Sequence, residues 1–208
     1  MRIKKSIENI NSSSVQDFYN KRVASYQGGN IYNVTMLQDK KPYLSEERNN
    51  AEISKLLPKL KLNQESCVLD LACGFGRWLD AMPLDIKKYR GIDFSDGLIQ
   101  LAKSRNTRNN AEFFTGSVLD ADKIIPDEIG SFNRILMMGL IPYMNDDDVL
   151  TLLDNITKSF CVGMGGACLR KTSNRSGRTI NPQRFLLRRT SKRLQRNLQD
   201  EGRNDEAV

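Results

Sequence analysis

The sequence predicts an α/β fold built on a doubly wound, mostly parallel sheet with helices on both faces. Short apolar runs and amphipathic helical segments alternate five times along the chain. The first apolar run leads into a turn of small residues at 72–76, and the second leads to Asp93. Open sheets of this kind bind ligands beyond the carboxyl ends of their strands, so these two strand ends mark the predicted functional edge.

Apolar patterning and capping residues predict the individual elements. Cys67–Leu71 is a short apolar run typical of a buried strand, interrupted only by Asp70. A serine cap and acids in the first turn predict a helix over Ser45–Leu57, which Pro58 ends. The other predicted elements are a helix opening at 77–80, helices at 94–102 and 145–160, and strands at 89–92, 112–118 with its loop, 132–139 and 164–170.

The turn after the first strand has the residues of an adenosine-cofactor site. Its pattern, D-x-A-x-G-x-G, places glycine at 74 and 76, where the backbone can approach a ligand closely. A carboxylate just ahead of the turn, at Asp70, suits a ligand with an ammonium group and a sulfonium better than a diphosphate, which prefers free amides. Asp93 lies 23 residues later, where an acid can hold ribose hydroxyls.

At these residues the chain resembles the class I S-adenosylmethionine-dependent methyltransferases, whose first motif typically reads hydrophobic-Leu-Asp-x-Gly-x-Gly-x-Gly. Ala72 stands where that family usually has glycine. The resemblance covers roughly residues 15–173, and it implies a Rossmann-like core, S-adenosylmethionine as the cofactor and methyl transfer as the reaction. An ordinary strand-to-helix turn in another doubly wound domain is the alternative.

The resemblance also implies which residues bind the cofactor. Asp70 would order the methionine end, Asp93 would accept hydrogen bonds from the ribose and Phe94 would flank the adenine. Ser117 stands where the family often has an acid near the adenine amino group, so adenine recognition would depend more on the backbone at Val118. The expected cofactor contacts are Asp70, Ala72, Gly74, Gly76, Asp93, Phe94, Ser117, Val118 and Met138.

The resemblance also implies that the segment before the sheet covers the cofactor and forms part of the substrate pocket. We therefore divide the chain into a lid at 1–44, a cofactor-binding core at 45–173 and a tail at 174–208. Candidate pocket residues in or next to the lid are Tyr19, Tyr26, Tyr43 and Arg48, and packing of the lid is the alternative role for each. Tyr26 and Tyr143 are the candidates for a catalytic contact, although Tyr143 could equally pack.

The residues after the fourth strand and the charge distribution bear on the methyl acceptor. Residues 139–143 read GLIPY and lack the Asn/Asp-Pro-Pro-Tyr sequence common among amine-methylating nucleic-acid enzymes. The net charge of +7 lies entirely in residues 170–208, while residues 1–169 are neutral. We predict a small-molecule or sugar-type acceptor. The alternatives are an RNA or DNA methyltransferase that uses the basic tail, and an inactive, truncated protein.

The tail departs from the family pattern. Complete class I methyltransferases continue after strand five with a helix and a two-strand hairpin, whereas residues 178–208 show no strand-like alternation. Codons for residues 179–201 can be chosen so that the frame one base later encodes a peptide resembling the C-terminal region of bacterial methyltransferases. We therefore expect a truncated or frameshifted chain without the last two strands, and a functional basic extension is the competing hypothesis.

Composition narrows the remaining possibilities. The chain has no histidine, and its four cysteines form no C-x-x-C pair, so neither a metal site nor disulfides are expected. Asp146, Asp147 and Asp148 are interpreted as the start of a helix rather than as metal ligands. No apolar run is long enough to span a bilayer and no secretory signal is visible, which predicts a cytoplasmic protein without membrane contact.

Overall fold

Five strands form one parallel sheet in the computed structural model, which describes residues 9–37, 40–160 and 167–171. The strand order is β3-β2-β1-β4-β5, and each neighbouring pair is parallel. Because the order reverses direction between β1 and β4, the carboxyl ends of these strands border a topological switch point. The strands are β1 Cys67–Leu71, β2 Lys88–Asp93, β3 Ala111–Thr115, β4 Arg134–Met138 and β5 Ala167–Lys171.

Within the described residues, seven α-helices precede or connect the strands. The first two helices, the second of only four residues, lie ahead of the core. The third helix precedes β1, and the fourth follows it. The π-helical turn Ile156–Phe160 continues the last helix. The helices are α1 Ser12–Ala24, α2 Asn33–Met36, α3 Tyr43–Leu56, α4 Arg77–Ala81, α5 Asp96–Arg105, α6 Ala121–Ile124 and α7 Asp146–Asn155.

The alternation of side chains along the strands divides the core into two layers. Val68 on β1 packs on one face with Trp78 of α4 and Ile99 of α5. Leu69, the next residue, packs on the opposite face with Leu152 of α7. Since successive strand residues point to opposite faces, a central strand covered on both sides has to be apolar almost throughout. The predicted doubly wound α/β fold with helices on both faces is therefore confirmed.

One glycine sets the distance between β2 and the residues after β1. A Cβ atom at Gly91 would lie 2.8 Å from both Cys73 Sγ and Phe113 Cδ1, closer than real Cβ contacts come. No other residue type fits there unless these neighbours move. The absence of a side chain at Gly91 therefore lets the turn after β1 lie directly against β2.

The amino-terminal helices pack on the same unit as the sheet. Tyr19 of α1 and Val34 of α2 form a small apolar cluster with Phe75 and Leu98. Ser95 Oγ, at the start of α5, donates a hydrogen bond to Asn20 Oδ1 at 2.6 Å. These contacts position α1 and α2 near the carboxyl ends of β1 and β2.

The structure corrects some predicted boundaries. α3 begins at Tyr43 rather than at a cap on Ser45, and Ser45 Oγ donates to the carbonyl of Pro42 within the first turn instead. The predicted strand and loop at 112–118 agree with β3, which ends at Thr115 shortly before a 3₁₀ turn at Val118–Asp120. Asp146 opens α7 as predicted.

Part of the sequence lies outside these observations. The chain divides into the units Met1–Thr172 and Ser173–Val208, and the second unit is outside the described residues. The predictions of a frameshifted tail, of its missing strands and of a boundary near residue 174 all concern that part, and they stay predictions.

Candidate cofactor site

The loop at 72–76 has a left-handed backbone at three alternating positions. The φ angles are 65° at Ala72, 58° at Gly74 and 83° at Gly76. The amides of Ala72 and Cys73 both donate to the carbonyl of Ile92, at 2.8 and 3.1 Å. The loop therefore turns sharply off β1 while it remains bonded to β2, and α4 begins directly after it.

Asp93 connects this loop to the next strand-to-helix turn. It lies at the carboxyl end of β2, where its Oδ2 accepts from the Gly74 amide and its Oδ1 accepts from the Ser95 amide, both at 2.9 Å. Its side chain is only 4% exposed. One carboxylate thus holds together the two turns that a ligand at this edge would touch.

Asp70 is the second buried carboxylate of the site. Its Oδ2 accepts from the Tyr89 hydroxyl at 2.7 Å, whereas its Oδ1 is buried without a hydrogen-bond partner. A buried acceptor left unpaired costs about 1–3 kcal/mol, so such atoms are uncommon in folded proteins. The free lone pairs of Oδ1 fit a ligand that brings a hydrogen-bond donor or a positive charge.

Burial changes the protonation of both carboxylates. Desolvation raises the pKa of Asp70 to about 7, although the Tyr89 hydroxyl and the charge of Arg77 act in the opposite direction. Desolvation also raises the pKa of Asp93 to about 6, against the two backbone amides that stabilise its ionised form. A cationic group beside Asp70 would favour its ionised form, which is a second reason to expect a positively charged ligand group there.

Helix α1 lies across this edge of the sheet. Tyr19 is 8% exposed and packs edge-to-face on Tyr143, with ring centroids 5.8 Å apart. Before α1, the Ile10 amide donates to Asn145 Oδ1 at 2.8 Å, and Asn145 Nδ2 donates back to the Ile10 carbonyl. The amino-terminal segment is therefore bonded to the residues that follow β4.

The sequence of this region matches a known family and several curated proteins. Residues 68–161 match the family described as a methyltransferase domain. The chain is 34% identical over 92 residues to the 23S rRNA (uracil(1939)-C(5))-methyltransferase RlmD of Haemophilus influenzae. That alignment covers 43% of this chain and 21% of the relative, so the chain spans about a fifth of the length of the curated relatives it matches.

Solved structures with the same fold extend this likeness over most of the chain. Phosphoethanolamine N-methyltransferase 1 of Haemonchus contortus superposes with a TM-score of 0.63 at 17% identity, over 82% of this chain and 34% of that one. The DhpI–S-adenosylhomocysteine complex superposes with a TM-score of 0.54 at 17% identity, over 86% of both chains. At these identities the superpositions establish the fold.

Residues 68–161 match the methyltransferase domain family, and solved methyltransferases share the fold of this chain. The loop with its two buried carboxylates has the donor and acceptor groups that S-adenosylmethionine requires of its binding site. Two features fit S-adenosylmethionine: the unpartnered oxygen of Asp70, and the loop backbone at Gly74 and Gly76, which has no side chains to keep a ligand away.

The predicted cofactor residues divide into two sets. Asp70, Asp93 and the loop between them form one constellation, as expected from the motif. Phe94 is half-buried, and its carbonyl accepts from Gln16 Nε2. Ser117 is exposed, and its hydroxyl accepts from the Leu119 amide. Val118 and Met138 are both buried but belong to the two opposite core layers. The cofactor role of each of these residues stays a prediction.

The structure brings together only some of the candidate pocket residues. Tyr19 and Tyr143 meet, whereas the Tyr26 hydroxyl donates to the carbonyl of Gly29 within its own turn. Tyr43 is 58% exposed, and Arg48 pairs with Glu52 along α3. The interpretation of Tyr26, Tyr43 and Arg48 as pocket residues gains no support from these contacts.

Sequence reasoning missed an ion pair that holds the start of α4. Arg77 donates to Asn49 Oδ1 and to Glu52 Oε2 on α3, both at 2.9 Å. These side chains are 25 and 28 residues from Arg77, so no local pattern links them. The contact fixes the helix that follows the glycine loop against the helix that precedes the sheet.

Two further properties concern the described residues only. Over residues 9–37, 40–160 and 167–171, no helix has the length and apolarity needed to cross a bilayer. In the same ranges, acidic and cysteine side chains do not come together in groups of three or more that could hold a metal ion.

The first prediction concerns Ala72. Because its left-handed backbone costs an L residue about 1–2 kcal/mol, Ala72→Gly should raise the free energy of unfolding by about 1 kcal/mol. The matched control is Ala121→Gly at a right-handed position (φ −55°), which should lower it by about 1 kcal/mol. Urea denaturation of both variants measures the effect. Equal destabilisation by the two changes would contradict strain at Ala72.

The second prediction concerns pH. Below pH 7 the folded state retains a proton on Asp70 that the unfolded state releases above about pH 4, so stability falls as pH rises between these values. Asp70→Asn keeps an acceptor for Tyr89 but removes this titration. Between pH 5 and 8, the free energy of unfolding of Asp70→Asn should therefore fall by about 2–3 kcal/mol less than that of the parental protein.

Denaturation of the ligand-free proteins at several pH values measures this difference. Asp127→Asn, at an exposed aspartate, serves as the control and should follow the parental pH dependence. If Asp70→Asn and the parental protein lose stability in parallel, Asp70 does not titrate in this range.

Proposed function

We propose that this chain transfers a methyl group from S-adenosylmethionine to a small-molecule or sugar-type acceptor. The proposal is based mainly on two buried carboxylates beside the glycine loop, Asp70 and Asp93. One oxygen of Asp70 has no hydrogen-bond partner. The curated relatives are several times longer than the region they share with this chain. The proposed activity is therefore argued from the residues of the site and not from those relatives.

The described residues would bind the cofactor by complementary charge and hydrogen bonding. Asp70 would accept from the ammonium group of the methionine end, and the amides of the loop would contact the same end. Asp93 would accept from the ribose hydroxyls at the tip of β2. When bound, the cofactor supplies an electrophilic methyl group on a sulfonium, so the protein mainly has to position the two reactants and exclude water.

Tyr19 and Tyr143 are suited to orient an acceptor rather than to deprotonate it. Burial and the contact with Tyr143 raise the pKa of Tyr19 well above its usual value, so its hydroxyl stays neutral near pH 7. The sequence has no histidine that could act as a base there. A neutral amine has its own lone pair for the methyl group, so it would need only to donate an N–H hydrogen bond to one of these hydroxyl oxygens.

The position of α1 supports a small acceptor. Tyr19 and Tyr143 meet over the carboxyl edge of the sheet, and Tyr143 retains 37% exposure. The approach to this edge therefore lies beside α1 and its hydrogen bonds to the residues after β4. The Haemonchus contortus structure, which shares the fold, contains phosphoethanolamine together with S-adenosylhomocysteine.

An RNA acceptor is the second candidate. The 92-residue alignment with ribosomal RNA methyltransferases favours it, as does the positive charge of residues 170–208. That alignment spans about a fifth of those relatives, and the net charge of residues 1–169 is zero. The small-molecule proposal is therefore the stronger of the two.

The third prediction tests the cofactor. Calorimetric titration of the full chain should give micromolar binding of S-adenosylmethionine. Asp93→Ala should weaken binding at least 100-fold, since both ribose hydrogen bonds to a charged group are lost. Asp93→Asn keeps one acceptor oxygen but turns an NH2 group toward one of the two amides, so it should lose some stability and bind about tenfold more weakly. Asp96→Ala, on the exposed side of the same turn, is the matched control and should bind normally.

Circular dichroism of each protein verifies that it is folded. Parental affinity in a folded Asp93→Ala protein would exclude the proposed role of Asp93. A folded parental chain that binds no S-adenosylmethionine would reject the proposed function.

The fourth prediction tests the acceptor. With methyl-labelled S-adenosylmethionine, label should appear in a nucleic-acid-free metabolite extract, and transfer should change little between 50 and 200 mM salt. Label in total RNA that falls steeply over this salt range would support the RNA candidate instead. A folded, cofactor-binding chain that labels neither pool would support the inactive alternative.

A further inference from the structure

The hydroxyl of Thr35 is a buried polar group without a hydrogen-bond partner, and it lies beside the glycine loop. Thr35 belongs to α2, and its Cγ2 is 3.4 Å from the point where a Cβ on Gly74 would sit. A buried hydroxyl without a partner is uncommon, because the lost hydrogen bonds to water are not replaced. A ligand that passes over the loop at Gly74 could supply the missing partner.

Contacts along α2 and the residue that ends it fix the position of Thr35. The guanidinium of Arg22 donates to the carbonyls of Asn33 and Val34, at 2.7 and 2.9 Å. Leu37 ends α2 with a left-handed backbone at φ 57°, which costs a leucine about 1–2 kcal/mol. Strain of this kind persists only where surrounding contacts impose it, and it clusters at ligand sites.

Two buried oxygen atoms without hydrogen-bond partners therefore lie next to the same loop. Asp70 Oδ1 lies at the strand that enters the loop, and Thr35 Oγ1 belongs to the residue that touches Gly74 within it. Asp70 can only accept when ionised, while a threonine hydroxyl can donate. A ligand end that carries both an ammonium and a carboxylate satisfies both atoms, and the methionine end of S-adenosylmethionine is such a group.

We propose that the Thr35 hydroxyl donates a hydrogen bond to the α-carboxylate of the cofactor, so that α2 forms one wall of the cofactor site. This inference rests on the proposed function and adds a binding residue to it. It also gives the amino-terminal segment a direct contact with the cofactor, in addition to any role toward the acceptor.

The experiment compares three ligands on the full chain by calorimetry. S-adenosylmethionine and S-adenosylhomocysteine carry the amino-carboxylate end, whereas 5′-methylthioadenosine lacks it. Thr35→Val removes the hydroxyl at nearly constant shape and should weaken the first two ligands about tenfold, with 5′-methylthioadenosine unchanged. Thr35→Ser, which keeps the hydroxyl and removes only the methyl group, should bind all three ligands within about twofold of the parental protein.

Stability supplies an independent readout. Because the hydroxyl has no partner in the ligand-free fold, Thr35→Val should be at least as resistant to urea as the parental protein. A clear loss of stability would mean that the hydroxyl is already paired, and it would overturn the inference.

Other outcomes of the titrations are equally decisive. Parental affinity of Thr35→Val for all three ligands would show that the hydroxyl contacts none of them. An equal loss for 5′-methylthioadenosine would place its effect away from the methionine end. If the parental chain binds none of the ligands, the proposed function itself fails, and that result differs from each of the others.

Discussion

The arrangement at the functional edge depends on the two hydrogen bonds that the Asp93 carboxylate accepts. They join the amide of Gly74, in the loop after β1, to the amide of Ser95, at the start of α5. Without this side chain, two buried amides would lose their partner, and the hydrogen bonds from Ala72 and Cys73 to the Ile92 carbonyl would be left to join the loop to β2. The carboxylate is retained although its burial raises its pKa to about 6, which is an energetic cost to the ligand-free protein.

Close packing beneath the loop makes this arrangement possible. The missing side chain at Gly91 leaves room for Cys73 and Phe113, and the ring of Phe113 in turn lies 3.0 Å from the Cβ position of Gly76. Glycine is thus required at 76 both by its backbone and by its neighbour. Ala72 meets the same backbone requirement with a strained conformation, which explains physically why glycine is usual at that position of the family motif.

The sequence predicted well those features that depend on neighbouring residues. β1 was predicted at its observed bounds, because a buried central strand is a continuous apolar run, and the glycine loop and Asp93 were evident from their spacing. The predicted cap at Ser45 was wrong, since the helix already begins ahead of it at Tyr43. Local patterns cannot reveal contacts between distant segments, such as Tyr19 with Tyr143 or Arg77 with Glu52. Thr35 gave no signal at all, because its significance comes from a missing partner.

The reciprocal hydrogen bonds between Asn145 and Ile10 have a kinetic consequence. Asn145 occupies the N-cap position of α7, yet its side chain bonds the backbone of Ile10 and does not accept a capping amide. An N-cap is worth about 1 kcal/mol, so the protein gives up local helix stability to hold the segment before α1. Ser95 and Tyr143 contact Asn20 and Tyr19 of α1 itself, so the segment is held both ahead of the helix and within it. We expect ligand exchange at the buried carboxylates to require local unfolding of this segment, so that its opening free energy, rather than diffusion, limits how often the edge becomes accessible.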